Sequence, residues 1–281
     1  MIELIQERLA SYNAANQLEE EYAVKEILQD IALYGLWRAG FFDIAAFQGG
    51  TCLRIVHGMG RFSEDIDFIL KQPDPDFSWP VYLQGMVQCF EEFGLKSEIL
   101  DKSRMDQRIK KAQIKDNSIC HQLNLSFFRE NPAKKQTIKL EIDVDPPENS
   151  GFAYRYLDFP LDFEVCHQDL NSNFSLKIHA LLCRPYVKGR DWYDFNWYVK
   201  QRVKPNLARL QAALLQWGPW AGQEIKIDLK WLKQKLTEKI GRIDWQDAAM
   251  DVERFLRLQE QHSLKLWSVA FFLHKVEQLG E

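Results

Sequence analysis

The sequence lacks the local spacings that mark a zinc site or a disulfide framework. Its five cysteines (Cys52, Cys89, Cys120, Cys166 and Cys183) are odd in number and scattered, no CxxC pair occurs, and the six histidines form neither HExxH nor HxxxH. Buried free thiols are therefore expected. No apolar run approaches the roughly 20 residues that a membrane span needs, and the densest stretch, 267–273, is short. The opening MIELIQERLA is charged too early to serve as a secretory signal. A soluble cytoplasmic chain with no membrane partner is the expectation. Excess positive charge is also missing. With 36 Lys and Arg against 40 Asp and Glu, the net charge of −4 excludes wholesale coating of nucleic acid, while leaving room for a local basic groove. Internal repeats, low-complexity tracts and long Gly/Ser linkers are absent as well.

What is present is the composition of a folded chain. Apolar residues make up 46% and charged residues 27%, which places it among globular rather than disordered proteins. At about 150 residues per domain, 281 residues make one large domain or two modest ones. A monomer with a large aromatic-rich core is expected.

The patterning divides the chain near residue 170. Leu18, Tyr22, Ile27, Leu28 and Ile31 recur at helical spacing behind acidic Glu19–Glu21, leaving both halves open as packing partner for that helix. Ile44–Phe47 reads as a short strand running into Gly49-Gly50-Thr51, and 52–56 as a short helix ending at Gly58. Residues 65–70 alternate, with Asp65 and Asp67 on one face and Ile66, Phe68 and Leu70 on the other. Ser78 and Pro80 open a helix that Gly94 closes. Strands are predicted over 97–100, 109–116, 122–128 and 136–144. In the last, Ile138, Leu140, Ile142 and Val144 oppose Lys139, Glu141, Asp143 and Asp145, and Pro146-Pro147 ends it. Beyond 170, helices are predicted over 175–186, 191–201, 206–216, 228–239, 245–258 and 263–279. The predicted organisation is a mixed α+β domain over 1–170 and a helical domain over 171–281.

Four features can carry chemistry. Gly49-Gly50-Thr51, between a strand and a helix, lets backbone N–H groups approach an anion, although a Gly-Gly pair also makes an ordinary turn. Asp65 and Asp67, two apart on a strand, share one face and can hold a hard divalent cation such as Mg²⁺; a solvated strand face has the same pattern. Glu141, with Asp143, offers a third carboxylate that can take a proton or bind a second metal, again with a polar solvent face as the plain alternative. Lys177 on a helix face can meet a triphosphate as a point charge, while Asp191 can cap the next helix. In this order, a glycine turn, paired acids, a third acid and a lysine helix describe a nucleotidyl-transfer site. Two metals there would activate a hydroxyl and neutralise the leaving pyrophosphate.

Gly49-Gly50-Thr51-x-Leu53-Arg54 followed by Arg61-Phe62-Ser63-Glu64-Asp65-Ile66-Asp67-Phe68 resembles the opening motif of the AbiEii/AbiGii-type nucleotidyltransferase toxins. These are the toxin halves of type IV toxin–antitoxin and phage-abortive-infection systems. Ile138–Ile142 resembles the family's later carboxylate strand, and Lys177–Leu182 with Arg184 and Arg190-Asp191-Trp192-Tyr193-Asp194 its lysine helix and Arg-Asp-x-Tyr-Asp segment. The resemblance runs from about residue 30 to 200. It implies a polymerase-β-like mixed sheet with flanking helices, followed by a helical bundle that completes the active-site groove. It also implies Mg²⁺-dependent transfer of a nucleotide from an NTP to an acceptor; relatives bind GTP or add pyrimidine nucleotides to tRNA 3′ ends.

By position, Asp65, Asp67 and Glu141 would bind metal, and Gly49, Gly50, Thr51, Arg61 and Ser63 would form the phosphate loop. Lys177 would contact the triphosphate, and Asp191 or Asp194 would finish the site. Gln48 stands where the family often has lysine, and Leu176 where a glutamate often precedes the helix lysine. An RNA acceptor, most plausibly tRNA, and a cognate antitoxin are the implied partners. C-terminal cations such as Lys200, Arg202, Lys204, Arg209, Lys233 and Lys239 are candidates for phosphate contact. The alternatives are transfer to a small molecule or protein, or a regulator that binds NTP without transfer.

Overall fold

The computed structural model describes residues 1–104, 108–116, 118–123, 125–126 and 135–280. The chain forms two compact units. The first comprises Met1–Gly58, Phe62–Pro146 and Ala153–His167; the second comprises Met59–Arg61, Pro147–Phe152 and Gln168–Glu281.

The first unit opens with α1 (Ile2–Ser11) and α2 (Gln17–Arg38). Asn16 caps α2 by accepting the Glu19 amide at 3.0 Å, which starts the helix where its acidic first turn favours it. Then come α3 (Phe41–Ile44), β1 (Ala45–Gln48), α4 (Gly49–Ile55), β2 (Ile66–Leu70), α5 (Pro80–Glu92), β3 (Glu98–Asp101), β4 (Ile109–Asp116), α6 (Ile119–Gln122), β5 (Gln136–Asp143), β6 (Phe152–Leu157) and β7 (Phe163–Gln168). Among the described residues these strands build one seven-stranded mixed sheet in the order β3-β4-β5-β2-β1-β7-β6. Strands β2 and β5 run parallel, β1 and β2 antiparallel, and β4 and β5 antiparallel.

Alternation decides which face is dry. Ile138, Leu140 and Ile142 of β5 are fully buried together with Ile66 and Phe68 of β2, while the intervening residues face outward. Helix α2 packs closely on α5 because Gly35 has no side chain: a Cβ there would lie 3.1 Å from the Met86 backbone and 3.2 Å from Cys89 Cβ. Phe41 stacks on Trp79 at 5.6 Å and meets Phe68 edge-on at 4.8 Å, closing the core at one end.

Three sequence expectations change here. The strand predicted over 122–128 does not begin at Gln122, which ends α6; 124 and 127–128 lie outside the described residues. The Asp116 carboxylate accepts the Ile119 amide at 2.8 Å and the Ser118 hydroxyl at 2.9 Å, turning the chain into a short helix instead. Strands β6 and β7 were not anticipated, and neither was α1.

The second unit is helical: α7 (Leu170–Cys183), α8 (Gly189–Lys200), α9 (Leu207–Gln216), α10 (Leu229–Ile240), α11 (Trp245–Glu253), α12 (Leu258–Gln261), a 3₁₀ turn at His262–Leu266, and α13 (Val269–Glu277). The ends follow caps. Asp169, Asn206, Asp228, Asp244 and Ser268 each accept a first-turn amide. Asp169 therefore starts α7 earlier than predicted, and Ser268 starts a new helix where one helix over 263–279 was expected. Trp192, Trp245 and Phe272 form its aromatic core, with Trp245 and Phe272 stacked at 4.0 Å. Among the described residues, no helix is long and apolar enough to cross a membrane.

Candidate active site

Pleat and register assemble the acidic group of the first unit. Asp67 of β2 lies opposite Glu141 of the parallel neighbour β5 and opposite Gln48 of β1; Glu141 in turn lies opposite Lys111 of β4. Four residues from four strands thus form one row across the sheet, Gln48–Asp67–Glu141–Lys111. Asp65 stands two residues before Asp67, in the loop that leads directly into β2. All three carboxylates are half-buried, open enough to receive a ligand.

Partners already hold parts of this row. Lys111 Nζ sits 2.8 Å from a Glu141 oxygen, and Arg108 grips Asp143 through two bonds of 2.7 and 2.6 Å. Asp143 is thereby committed to an ion pair, whereas Glu141 has one exposed lysine at its side. Gln48 donates to the Phe68 carbonyl at 3.0 Å. It stands at the position where a cation was noted as frequent, and here anchors β1 to β2.

The glycine turn is shaped around Asp67. Gly49 adopts φ +81°, a left-handed backbone, and a Cβ at this position would lie 2.5 Å from Asp67 Oδ2. Only glycine allows the backbone to approach that carboxylate so closely. Thr51 is fully buried; its hydroxyl donates to the Asp65 carbonyl and lies 2.8 Å from Ser63 Oγ. Thr51 therefore fastens the glycine helix to the start of the acidic strand. Gln29 of α2 donates to the Ser63 and Glu64 carbonyls at 3.2 and 2.9 Å, holding the loop that delivers Asp65. Neither Gln29 nor Lys111 was singled out from sequence, and no local spacing marks them; pairing Lys111 with Glu141 requires the β4–β5 register.

The remaining candidates meet in the second unit. Arg61 and Asp194, 2% and 0% exposed, form a two-pronged pair with Nε–Oδ1 at 2.6 Å and Nη2–Oδ2 at 2.7 Å. Lys177 bonds Asp194 at 2.8 Å and Asp191 at 3.2 Å, and Arg184 pairs with Asp191. Burial pulls the Asp194 carboxyl upward, but Arg61 and Lys177 outweigh it and hold the group below the usual range. Burial likewise works to lower Lys177, and Asp194 with Asp191 reverses this and raises it. The geometry is that of a saturated internal charge network. Arg184 belongs to the lysine-helix motif quoted from the sequence, but its pairing with Asp191 was not read there. Arg209, a candidate for phosphate contact, is instead 1% exposed and donates to Ser150 Oγ at 3.2 Å.

In the first unit the donor set fits magnesium: hard carboxylate oxygens on one face, half-open, beside a turn that a Cβ would fill. A mixed sheet carrying acids two residues apart, with a third acid on the parallel neighbour and a glycine turn pressed against them, is the layout of a nucleotidyltransferase. The family model "Nucleotidyl transferase AbiEii toxin, Type IV TA system" matches residues 31–275, and the chain belongs to that family. JHP933 from Helicobacter pylori shares the fold at TM-score 0.50 and 17% identity, over 92% of this chain and 94% of that one. Also similar are a nucleotidyltransferase from H. pylori, described as putative (TM-score 0.49, 16% identity, 88% and 94% covered), and MenT4, a nucleotidyltransferase toxin from Mycobacterium tuberculosis H37Rv (TM-score 0.46, 15% identity, 97% and 99% covered). No curated protein matches the chain.

Proposed function

We propose that this toxin-family transferase moves a nucleotide from an NTP to an RNA acceptor, tRNA foremost, with Mg²⁺ held by Asp65, Asp67 and Glu141. The observation that carries the reading is the pairing of Asp67 with Glu141 on adjacent parallel strands, with the Gly49 turn pressed against the Asp67 carboxylate. When bound, Mg²⁺ would neutralise the triphosphate and ease deprotonation of the attacking hydroxyl. In the transfer, the acceptor oxygen bonds the α-phosphorus as the bond to pyrophosphate breaks, and Glu141 would take the hydroxyl proton. The Gly49-Gly50 backbone admits the phosphates, and Ser63 adds a hydroxyl. For Lys177 the surroundings support a positioning role first, since Asp191 and Asp194 occupy two of its three donors.

Support for an RNA acceptor lies in a cavity of about 420 Å³ in the second unit, lined by Lys200, Arg202 and Lys275 with Val199 and Gln278. No carboxylate is among these residues, and burial together with Lys200 lowers Lys275, as expected where like charges share a space. Such a space suits a phosphate of a nucleic-acid backbone. A cognate antitoxin and cytoplasmic action belong to the same reading.

The test mixes the protein with Mg²⁺, total bacterial RNA and each α-labelled NTP in turn, beside Asp65→Ala. Label in a tRNA-sized band from wild type alone would support the transfer and name the donor. No labelled RNA in any lane would remove RNA as acceptor and move small-molecule or protein acceptors ahead. Turnover that survives EDTA would overturn the magnesium assignment.

A further inference from the structure

The fold brings together three soft metal ligands that the sequence keeps apart. Cys52 in α4 is fully buried, His57 stands just beyond the end of that helix and is half-buried, and His167 near the end of β7 is 5% exposed. The Cys52 sulfur and one nitrogen of each imidazole all lie within 4.8 Å of one another. The two rings stand nearly perpendicular, at 82°, with centroids 5.1 Å apart. Two imidazoles bound to one tetrahedral zinc through bonds of about 2.0–2.1 Å place their centroids at about 5 Å.

We propose that Cys52, His57 and His167 form a binding site for Zn²⁺, separate in chemistry from the carboxylate row. Sulfur and imidazole donors favour zinc over magnesium, and carboxylate oxygens the reverse. Three protein ligands leave a fourth position for water. The expectation of no zinc site rested on local spacing and could not see this cluster, because His167 comes from a distant strand beside β1, opposite Phe47. Bound zinc would tie β7 to α4, the helix that begins at Gly49-Gly50-Thr51, and so stiffen the turn against Asp67. Two neighbouring groups bear on the site. The exposed Arg155 lies near enough to His57 to disfavour positive charge there. Cys166 adjoins His167 in sequence, and its thiol interacts with Lys71 and Tyr154.

The experiment uses the full chain, stripped with EDTA, dialysed and titrated with Co²⁺ as a spectroscopic stand-in for zinc. One equivalent should give a thiolate-to-cobalt charge-transfer band and intense tetrahedral visible bands, both displaced by Zn²⁺. Cys52→Ser should lose the charge-transfer band, and His57→Gln, at a half-buried position, should weaken binding by about 100-fold or more. Asp65→Ala and Asp67→Ala should leave the spectrum unchanged, which separates this site from the proposed magnesium site. Saturating zinc should raise the Tm of wild type and not that of His57→Gln. Circular dichroism checks that each variant folds, and His57→Gln decides the matter if Cys52→Ser does not fold. A wild-type spectrum without the thiolate band, or a His57→Gln variant binding as tightly as wild type, would overturn the proposal.

Discussion

Two acidic groups in this molecule are built on opposite plans. In the first unit, Asp67 and Glu141 are half-buried, owe their proximity to backbone register, and have a lysine that is 47% exposed beside Glu141. In the second, Asp194 is fully enclosed, both of its oxygens are engaged by Arg61 and Lys177, and Asp191 shares Lys177 and takes Arg184. The same side-chain chemistry thus serves availability in one place and closure in the other. The difference lies in solvent access. A carboxylate kept for a ligand must stay within reach of solvent, whereas a fully buried one must be paired or it destabilises its surroundings.

The largest expected effect is on activity. Asp67→Ala should reduce kcat/KM by about 10³-fold or more, equivalent to about 4 kcal/mol of transition-state stabilisation, and change unfolding free energy by less than about 1 kcal/mol. Single-turnover transfer and urea titration measure the two sides; a variant that loses stability and activity together would make Asp67 a structural residue. Asp194→Ala should show the reverse hierarchy. Leaving Arg61 and Lys177 buried without their carboxylate should cost about 3–5 kcal/mol of folding stability. If urea midpoints barely move, the network is not closed as described.

Gly49→Ala probes the boundary between the plans. Its positive φ and the overlap with Asp67 Oδ2 should cost about 1–3 kcal/mol and cut transfer at least tenfold by displacing that oxygen. Unaltered transfer would show that Asp67 does its work through the other oxygen.

The smallest effect is in pH dependence, where two buried aspartates should behave oppositely. Asp30 is pushed well above the usual range by burial, then by Glu26, while Arg8 at 3.4 Å works in the opposite direction. An unfolded aspartate titrates near ~3.9. Asp194 lies below this when folded, so its contribution is complete above about pH 4 and is lost as pH falls through its folded value. Asp30 lies above it, so the native state is penalised as pH rises past about 4 until Asp30 ionises. Asp30→Asn should therefore be neutral or stabilising by about 1 kcal/mol at pH 7, and Asp194→Asn destabilising. Unfolding followed by tryptophan fluorescence from pH 3 to 8 checks both signs.

Much of the first unit's site was legible because it is written in short periods. The alternation of 136–144 placed Glu141 opposite the buried isoleucines, and the Gly-Gly turn marked the change from β1 to α4. Strand β6 hid because Tyr154, Arg155 and Tyr156 are all exposed, leaving no period of two to detect. Strand β7 hid for the opposite reason: five of its six residues are buried, among them the polar His167 and Gln168. The second unit's network was visible only as separate charged residues. That Arg61 pairs with Asp194 depends on tertiary folding, which no local pattern encodes. The positions of Asp191 and Asp194 were found from sequence; their saturation was not.

The row Gln48–Asp67–Glu141–Lys111 has one more implication. Neighbouring strands are held about 4.8 Å apart by peptide hydrogen bonds, whatever side chains they bear. The spacing between Asp67 and Glu141 is therefore measured by a ruler made of main chain, graduated in strands. Repacking the hydrophobic layer beneath would leave that ruler intact. Sliding β5 by a single residue would misread it completely, turning Glu141 into the oily interior and presenting an aliphatic side chain in its place.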